Sequence, residues 1–201
     1  GYGKAAASSA GHIMNSYVSG KDKAGKDVIS KEYADDVFYA DLTGKVGKLN
    51  LGVGYSKWGF EHDTEAVKAD LTDDITIWTA TANYAFDKNF KLGAMYLNGD
   101  TDGYDGDKDG YVVTASYKGA KASQVGSWGL VAKYYDQGAL TYIDHTMNGK
   151  ADKMDDFKGY SLAANYTFAK NIVGQVEWYD LEAKEGNKDS QTLWSQVVFT
   201  F

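Results

Sequence analysis

Over most of this chain every second residue is apolar. In residues 48–58, Leu49, Leu51, Val53 and Tyr55 alternate with Asn50, Gly52, Gly54 and Ser56. That two-residue period puts apolar side chains on one face of a strand and small or polar ones on the other. In residues 74–86, Trp78, Ala80, Ala82, Tyr84 and Phe86 oppose Thr79, Thr81 and Asn83, and the pattern returns in residues 90–98, 111–118, 127–136, 160–168, 172–181 and 191–201. Weaker alternation predicts strands over residues 12–19 and 36–42. A helix is excluded because the faces repeat every 2 residues rather than 3.6, in short segments punctuated by glycine.

The intervening stretches are alternately short and long. Residues 43–47, 87–89 and 169–171 read as tight turns, whereas residues 20–35, 59–73, 137–156 and 182–190 read as long hydrophilic loops. No linker divides the chain, so residues 1–201 are expected to form a single domain. Residues 1–11 resemble residues 117–126, the end of a strand and its turn, so the domain is expected to be truncated at its N-terminus.

The apolar faces end in aromatic side chains. The chain has 16 Tyr, 5 Trp and 8 Phe, and Tyr and Trp suit a boundary where one end of the ring is dry and the other wet. In a soluble sandwich the apolar faces would turn inward, and tyrosines at the strand ends would have no obvious purpose. No apolar run approaches the roughly 20 residues of a spanning helix. Mean hydropathy is negative, as expected of a barrel in which half of each strand faces water. The pattern predicts an all-β fold, a transmembrane antiparallel β-barrel.

The last strand carries a resemblance. A terminal Phe201, preceded at alternate positions by Phe199 and Val197, resembles the C-terminal strand of bacterial outer-membrane β-barrels, which assembly machinery reads. Together with the aromatic-ended strands it is similar to general porins, including those of double-membraned Firmicutes that carry an N-terminal cell-wall-binding segment. The resemblance implies an integral outer-membrane protein with its C-terminus on the periplasmic side and its long loops outside. About ten strands are visible, as a whole barrel or as part of one of about 16 strands. It implies passive diffusion of small hydrophilic solutes and ions, no enzymatic activity, and the lipid bilayer and a homotrimer as partners.

Charge and candidate sites refine this picture. With 28 acidic against 21 basic residues and a net charge of −7, no nucleic-acid partner is expected, since phosphate binding needs clustered Lys and Arg. Without cysteine there are no disulfides and no thiolate metal sites. Lys91, Lys133, Glu177, Gln175, Asn83 and Asn165 fall on the polar faces and are expected to line a pore, where their charges would set ion preference. Inward lysines and acidic outer loops pull that preference in opposite directions. In a narrow barrel the same side chains would pair and fill the interior, leaving a structural or adhesive barrel that acts through its loops.

Asp105, Asp107 and Asp109, followed by Gly110, match the first half of an EF-hand Ca²⁺ loop, but Ser116 stands where the bidentate Glu would be. The reading adopted is a solvated acidic loop that attracts Ca²⁺ loosely, with no cofactor. Asp144 and His145 form an acid–imidazole pair in an outer loop. Neighbours on an extended chain point opposite ways and no nucleophile motif accompanies them, so hydrolysis is the distant alternative.

Overall fold

The computed structural model describes residues 2–4, 15–21, 27–32, 36–59, 74–101, 106–142, 147–149, 154, 156–184 and 186–201, the first three stretches as backbone only. His12, His62, Asp105, Asp144 and His145 lie outside the described residues.

Nine strands form an antiparallel meander in which each pairs with the next: β4 (Asp36–Val46), β5 (Leu49–Gly59), β6 (Asp74–Ala85), β7 (Phe90–Asp100), β8 (Asp109–Lys118), β9 (Trp128–Gln137), β10 (Phe157–Ala169), β11 (Ile172–Ala183) and β12 (Asp189–Phe199). A short strand, β1 (Tyr2–Lys4), adds to the free side of β4, while β2 (Asn15–Lys21) and β3 (Asp27–Glu32) form a separate hairpin. Among the described residues no ladder joins β12 to β4 or to β1. The architecture is therefore all-β with one meander sheet.

The alternation predicts strand identity well and strand ends poorly. Residues 43–47 are not a turn: β4 runs on to Val46, and the turn is residues 47–48, with Gly47 at φ 60°, a left-handed value that glycine accepts without Cβ strain. Residues 27–32, expected in a loop, form β3. There Val28 and Ile29 are adjacent, so no two-residue period marks the strand. Strands β7, β10, β11 and β12 extend past their expected ends at the rim of long connections.

Short turns collect at one rim, residues 47–48, 86–89 and 170–171, where Asn171 takes φ 65° and the Asp87 carboxylate accepts from Asn89 N at 2.6 Å and Phe90 N at 2.8 Å. The connection of residues 119–127 shares this rim but folds back onto β10. The Asn165 amide oxygen accepts from Ala120 N at 2.8 Å, and the Thr167 hydroxyl donates to the Lys121 carbonyl at 3.0 Å, leaving Thr167 fully buried.

The two faces of the sheet differ chemically. Outward-facing Leu42, Val53, Trp78, Leu130, Leu162, Val176 and Leu193 are exposed, Leu162 and Val176 at 50%. Aromatic rows bound this apolar face on both sides. Toward the long-connection rim, the ring centroids of Tyr55 and Trp78 lie 4.7 Å apart, those of Tyr111 and Tyr134 6.0 Å, and those of Tyr160 and Trp178 5.5 Å. Toward the short-turn rim, Phe86 and Phe90 lie 5.2 Å apart, Tyr117 and Trp128 5.9 Å, and Tyr166 and Phe168 5.1 Å. Trp78 and Tyr84, Tyr111 and Tyr117, Trp128 and Tyr134, and Tyr160 and Tyr166 all stand six positions apart, about 20 Å along a strand. Between the rows the outward residues are small or aliphatic, as at Ala80, Ala82, Ala94, Val113, Ala132 and Ala164.

Candidate functional site

The inner face changes character along its height. Near the long-connection rim it is apolar, with Leu97, Tyr135, Phe157, Tyr179 and Leu181 buried there. Their outward neighbours on the same strands are instead charged, as at Asp136, Asp180 and Glu182. This inverts the pattern that holds in mid-strand, and what covers the apolar patch is the described part of the connection between β9 and β10. Met154 packs into the cluster of Tyr135, Phe157, Tyr179 and Leu181, with Tyr142 and Met147 against its side. The Tyr142 hydroxyl donates to the Met154 carbonyl at 3.1 Å, and the buried Thr141 hydroxyl donates to Gln137 Oε1 at 2.5 Å. Gly149 sits against the Tyr179 ring, where an added Cβ would come within 2.6 Å of it.

The sequence reading treats residues 137–156 as a long polar outer loop; the structure folds its described part onto the inner wall. The signal was present in apolar residues such as Leu140, Tyr142, Met147 and Met154 within a largely hydrophilic stretch. Without the inverted inner face, nothing told which surface they would cover.

Beneath this loop lies a cavity of about 360 Å³ whose wall includes Lys133, Gln175, Glu177, Tyr135, Tyr179 and Asn148. Strands β9 and β11, on either side of β10, bring these residues together, since Lys133 pairs with Ser161 and Ser161 with Tyr179, two residues from Glu177. Glu177 is only 6% exposed. Asn148 Nδ2 donates to its Oε2 at 3.3 Å, and the Tyr179 hydroxyl, which accepts from Asn148 N at 3.2 Å, also hydrogen-bonds to it. A buried carboxylate needs such donors, because desolvation without partners is costly. Lys133 makes no ion pair among the described residues.

The other expected pore-lining residues are dispersed. Asn83 lines a second inner cavity of about 320 Å³ with Lys45, Asn50 and Thr81. Lys91 is exposed in the same cross-strand row as Glu177, through Ser116, Val131 and Ala163. Three strands lie between them, four strand spacings or about 19 Å along the sheet. Asn165 faces inward, but its amide oxygen holds residues 119–127 in place. Lys45, inward on β4, joins the inner-face charges although its segment reads as a turn in the sequence.

At the long-connection rim the acidic loop is held by protein groups. Asp109 accepts hydrogen bonds from the Tyr96 hydroxyl and from Asn98 Nδ2, the latter at 2.9 Å. Lys184 forms ion pairs with both Asp107 and Asp136, the second at 2.5 Å, tying the β7–β8 and β11–β12 connections to the end of β9. Burial lowers the Lys184 pKa, but its hydrogen bonds and the two acidic charges outweigh that and hold it above the ordinary lysine value. The Lys184 hydrogen bond holds the Asp107 carboxyl below its ordinary value. Among the described residues no three His, Cys, Asp or Glu side chains are grouped so as to hold a metal.

The site thus offers water-sized space lined by one buried acid, one inward lysine, amides and phenols, beneath a folded-in loop. Such a wall can hydrogen-bond water and small polar solutes. No protein-family model matches the chain, and no curated protein matches it.

Proposed function

We propose that this protein is an outer-membrane porin: a β-barrel whose outer face lies in lipid and whose inner face lines a water-filled path for passive diffusion of small hydrophilic solutes and ions, without enzymatic activity. One observation carries the reading. The sheet presents an exposed apolar band bounded by two aromatic rows, and behind it an inner face carrying Lys45, Lys91, Lys133, Gln175 and Glu177. A soluble sheet would leave the apolar band in water, where large contiguous patches are rare. A bilayer instead matches an apolar band with Tyr and Trp at its two boundaries. The resemblance of the last strand to outer-membrane barrels supports the same location, and similarity to porins favours a homotrimer.

A second reading has its own observation. Tyr142, Met147 and Met154, from the connection between β9 and β10, pack onto the inner wall near one rim against Phe157, Tyr179 and Leu181, which favours a closed interior and a structural or adhesive barrel acting through its outer connections. Conductance separates the two. Purified protein in a planar bilayer under a salt gradient gives steady openings and a measurable reversal potential if it is a channel. Silence from protein that is folded and inserted overturns the channel and leaves the closed barrel.

A further inference from the structure

Lys118 breaks the alternation of its strand. Tyr117 faces outward, so the next residue should face inward, where Lys118 pairs with Gly129 of β9. The chain itself fills that inner space: a Cβ on Gly129 would come within 2.5 Å of the Gly119 Cα. Lys118 takes φ 57° instead, a left-handed value that is unfavourable for a residue with a Cβ, and its ammonium reaches the outer face. There it lies 4.3 Å from the centroid of the Trp128 ring and 5.4 Å from that of Tyr117. Both rings belong to the aromatic row at the short-turn rim. Lys118 makes no ion pair among the described residues, so no carboxylate neutralises it there.

Trp128 is also one wall of an outward groove of about 580 Å³ that crosses β9 to β12. Leu130 and Val176 are further walls, and the small residues Ala164, Gly174 and Ser195 make the floor. The groove therefore runs from the aromatic row into the apolar band, with the Lys118 cation at its edge. A larger outward groove of about 860 Å³ over β4 to β8 is equally apolar, but among the described residues no lysine lies over its Tyr96 or Tyr111. The cation, not apolarity, sets the smaller groove apart.

The short-turn rim as a whole is basic. Its connections, residues 44–50, 86–91, 117–128 and 168–173, carry Lys48, Lys88, Lys121 and Lys170 besides Lys118, and Asp87 is their one acid. Lysines placed at the boundary of an apolar band are attracted to anionic headgroups.

We propose that Lys118 and this groove bind one anionic phospholipid, with the headgroup phosphate on the Lys118 ammonium and an acyl chain along Trp128, Leu130 and Val176. A second copy of the chain seated on the groove would bury the ammonium without an anion, which is costly. The site rests on the membrane reading above and can fail separately from it.

The test is native mass spectrometry of the full chain, released from detergent micelles holding equal amounts of phosphatidylglycerol and phosphatidylcholine with identical acyl chains. The expected result is one retained lipid per chain, with phosphatidylglycerol favoured about fivefold. Lys118→Asn should abolish that preference, since Asn accepts a positive φ readily and the backbone keeps its course. Lys118→Arg should preserve it, as should Lys88→Gln, which removes the same charge from the same rim. Ser195→Trp, which fills the groove, should lose the lipid altogether. The site is overturned by equal retention of the two lipids, by an equal loss in Lys88→Gln, by retention that Lys118→Asn and Ser195→Trp leave unchanged, or by lipid-free oligomers that Ser195→Trp dissociates. Failure of the wild type to insert into vesicles of these two lipids overturns the membrane reading and the site with it, whereas insertion without lipid preference overturns the site alone.

Discussion

Leu162 and Thr81 illustrate how far one side chain's direction decides its tolerance. Leu162 faces outward between the aromatic rows, half exposed, whereas Thr81 faces inward onto the second cavity. In a bilayer Leu162→Arg is expected to cost about 2–4 kcal/mol, and Thr81→Arg distinctly less, in urea unfolding from lipid vesicles. Equal costs would mean that the faces are reversed or that no lipid surrounds the sheet. Glu177 and Lys133 share one cavity wall with opposite charges. If solutes pass beside them, Glu177→Gln should shift the reversal potential toward anions and Lys133→Gln toward cations, each by about twofold in permeability ratio. Neither shift would appear if the path lay elsewhere.

At the scale of elements, the connections are held by polar side chains that the sequence reads as pore-lining or loop residues. Asn165 binds residues 119–127 to β10, so Asn165→Ala should raise hydrogen exchange at Ala120 by up to about tenfold, the effect of losing roughly 1.4 kcal/mol of a partly buried hydrogen bond. Unchanged exchange would mean that the other contacts suffice. Lys184 clamps two connections to the end of β9, and its effect is pH-dependent with a definite sign. The Asp107 pKa is depressed in the folded protein, so that group's contribution is present above its unfolded value near 4 and is lost as pH falls through the folded value. The Lys184 pKa is raised, so its contribution is present below about 10.4 and is lost only as pH rises beyond that. Lys184→Met should therefore destabilise by about 1 kcal/mol across pH 5–9, discounted for partial exposure. The difference from wild type should shrink below about pH 4. A difference that stays constant into acid would assign the effect to lost packing of the lysine stem.

For the whole molecule, the decisive question in the channel reading is how far Tyr142, Met147, Gly149 and Met154, which lie against the inner wall, narrow the path. Gly149 allows the loop to lie against Tyr179 because it has no Cβ. Gly149→Trp should lift the loop off the wall, and in the channel reading unit conductance should increase. An unchanged conductance would place the narrowest part of the path away from this loop.

The two-residue period placed each strand of the meander in the chain and, for all but β4, assigned its apolar and polar faces, because alternation is a local property of a strand with one apolar and one polar side. It also marked the aromatic ends, including Trp78, Tyr84, Tyr117 and Trp128. It could not mark β3, where Val28 and Ile29 break the period, or the strand ends near the long connections, where the outward residues turn polar and the apolar ones, such as Phe157 and Leu181, face inward. Of the candidate site, Lys133, Gln175 and Glu177 were legible as inward residues of β9 and β11. That they share a cavity, while Asn165 is taken up by a loop and Lys91 stands across the wall, depends on cross-strand register. Only the tertiary structure sets that register and decides which surface the apolar residues of the 138–156 loop will cover, since burial there is a contact between segments far apart in sequence.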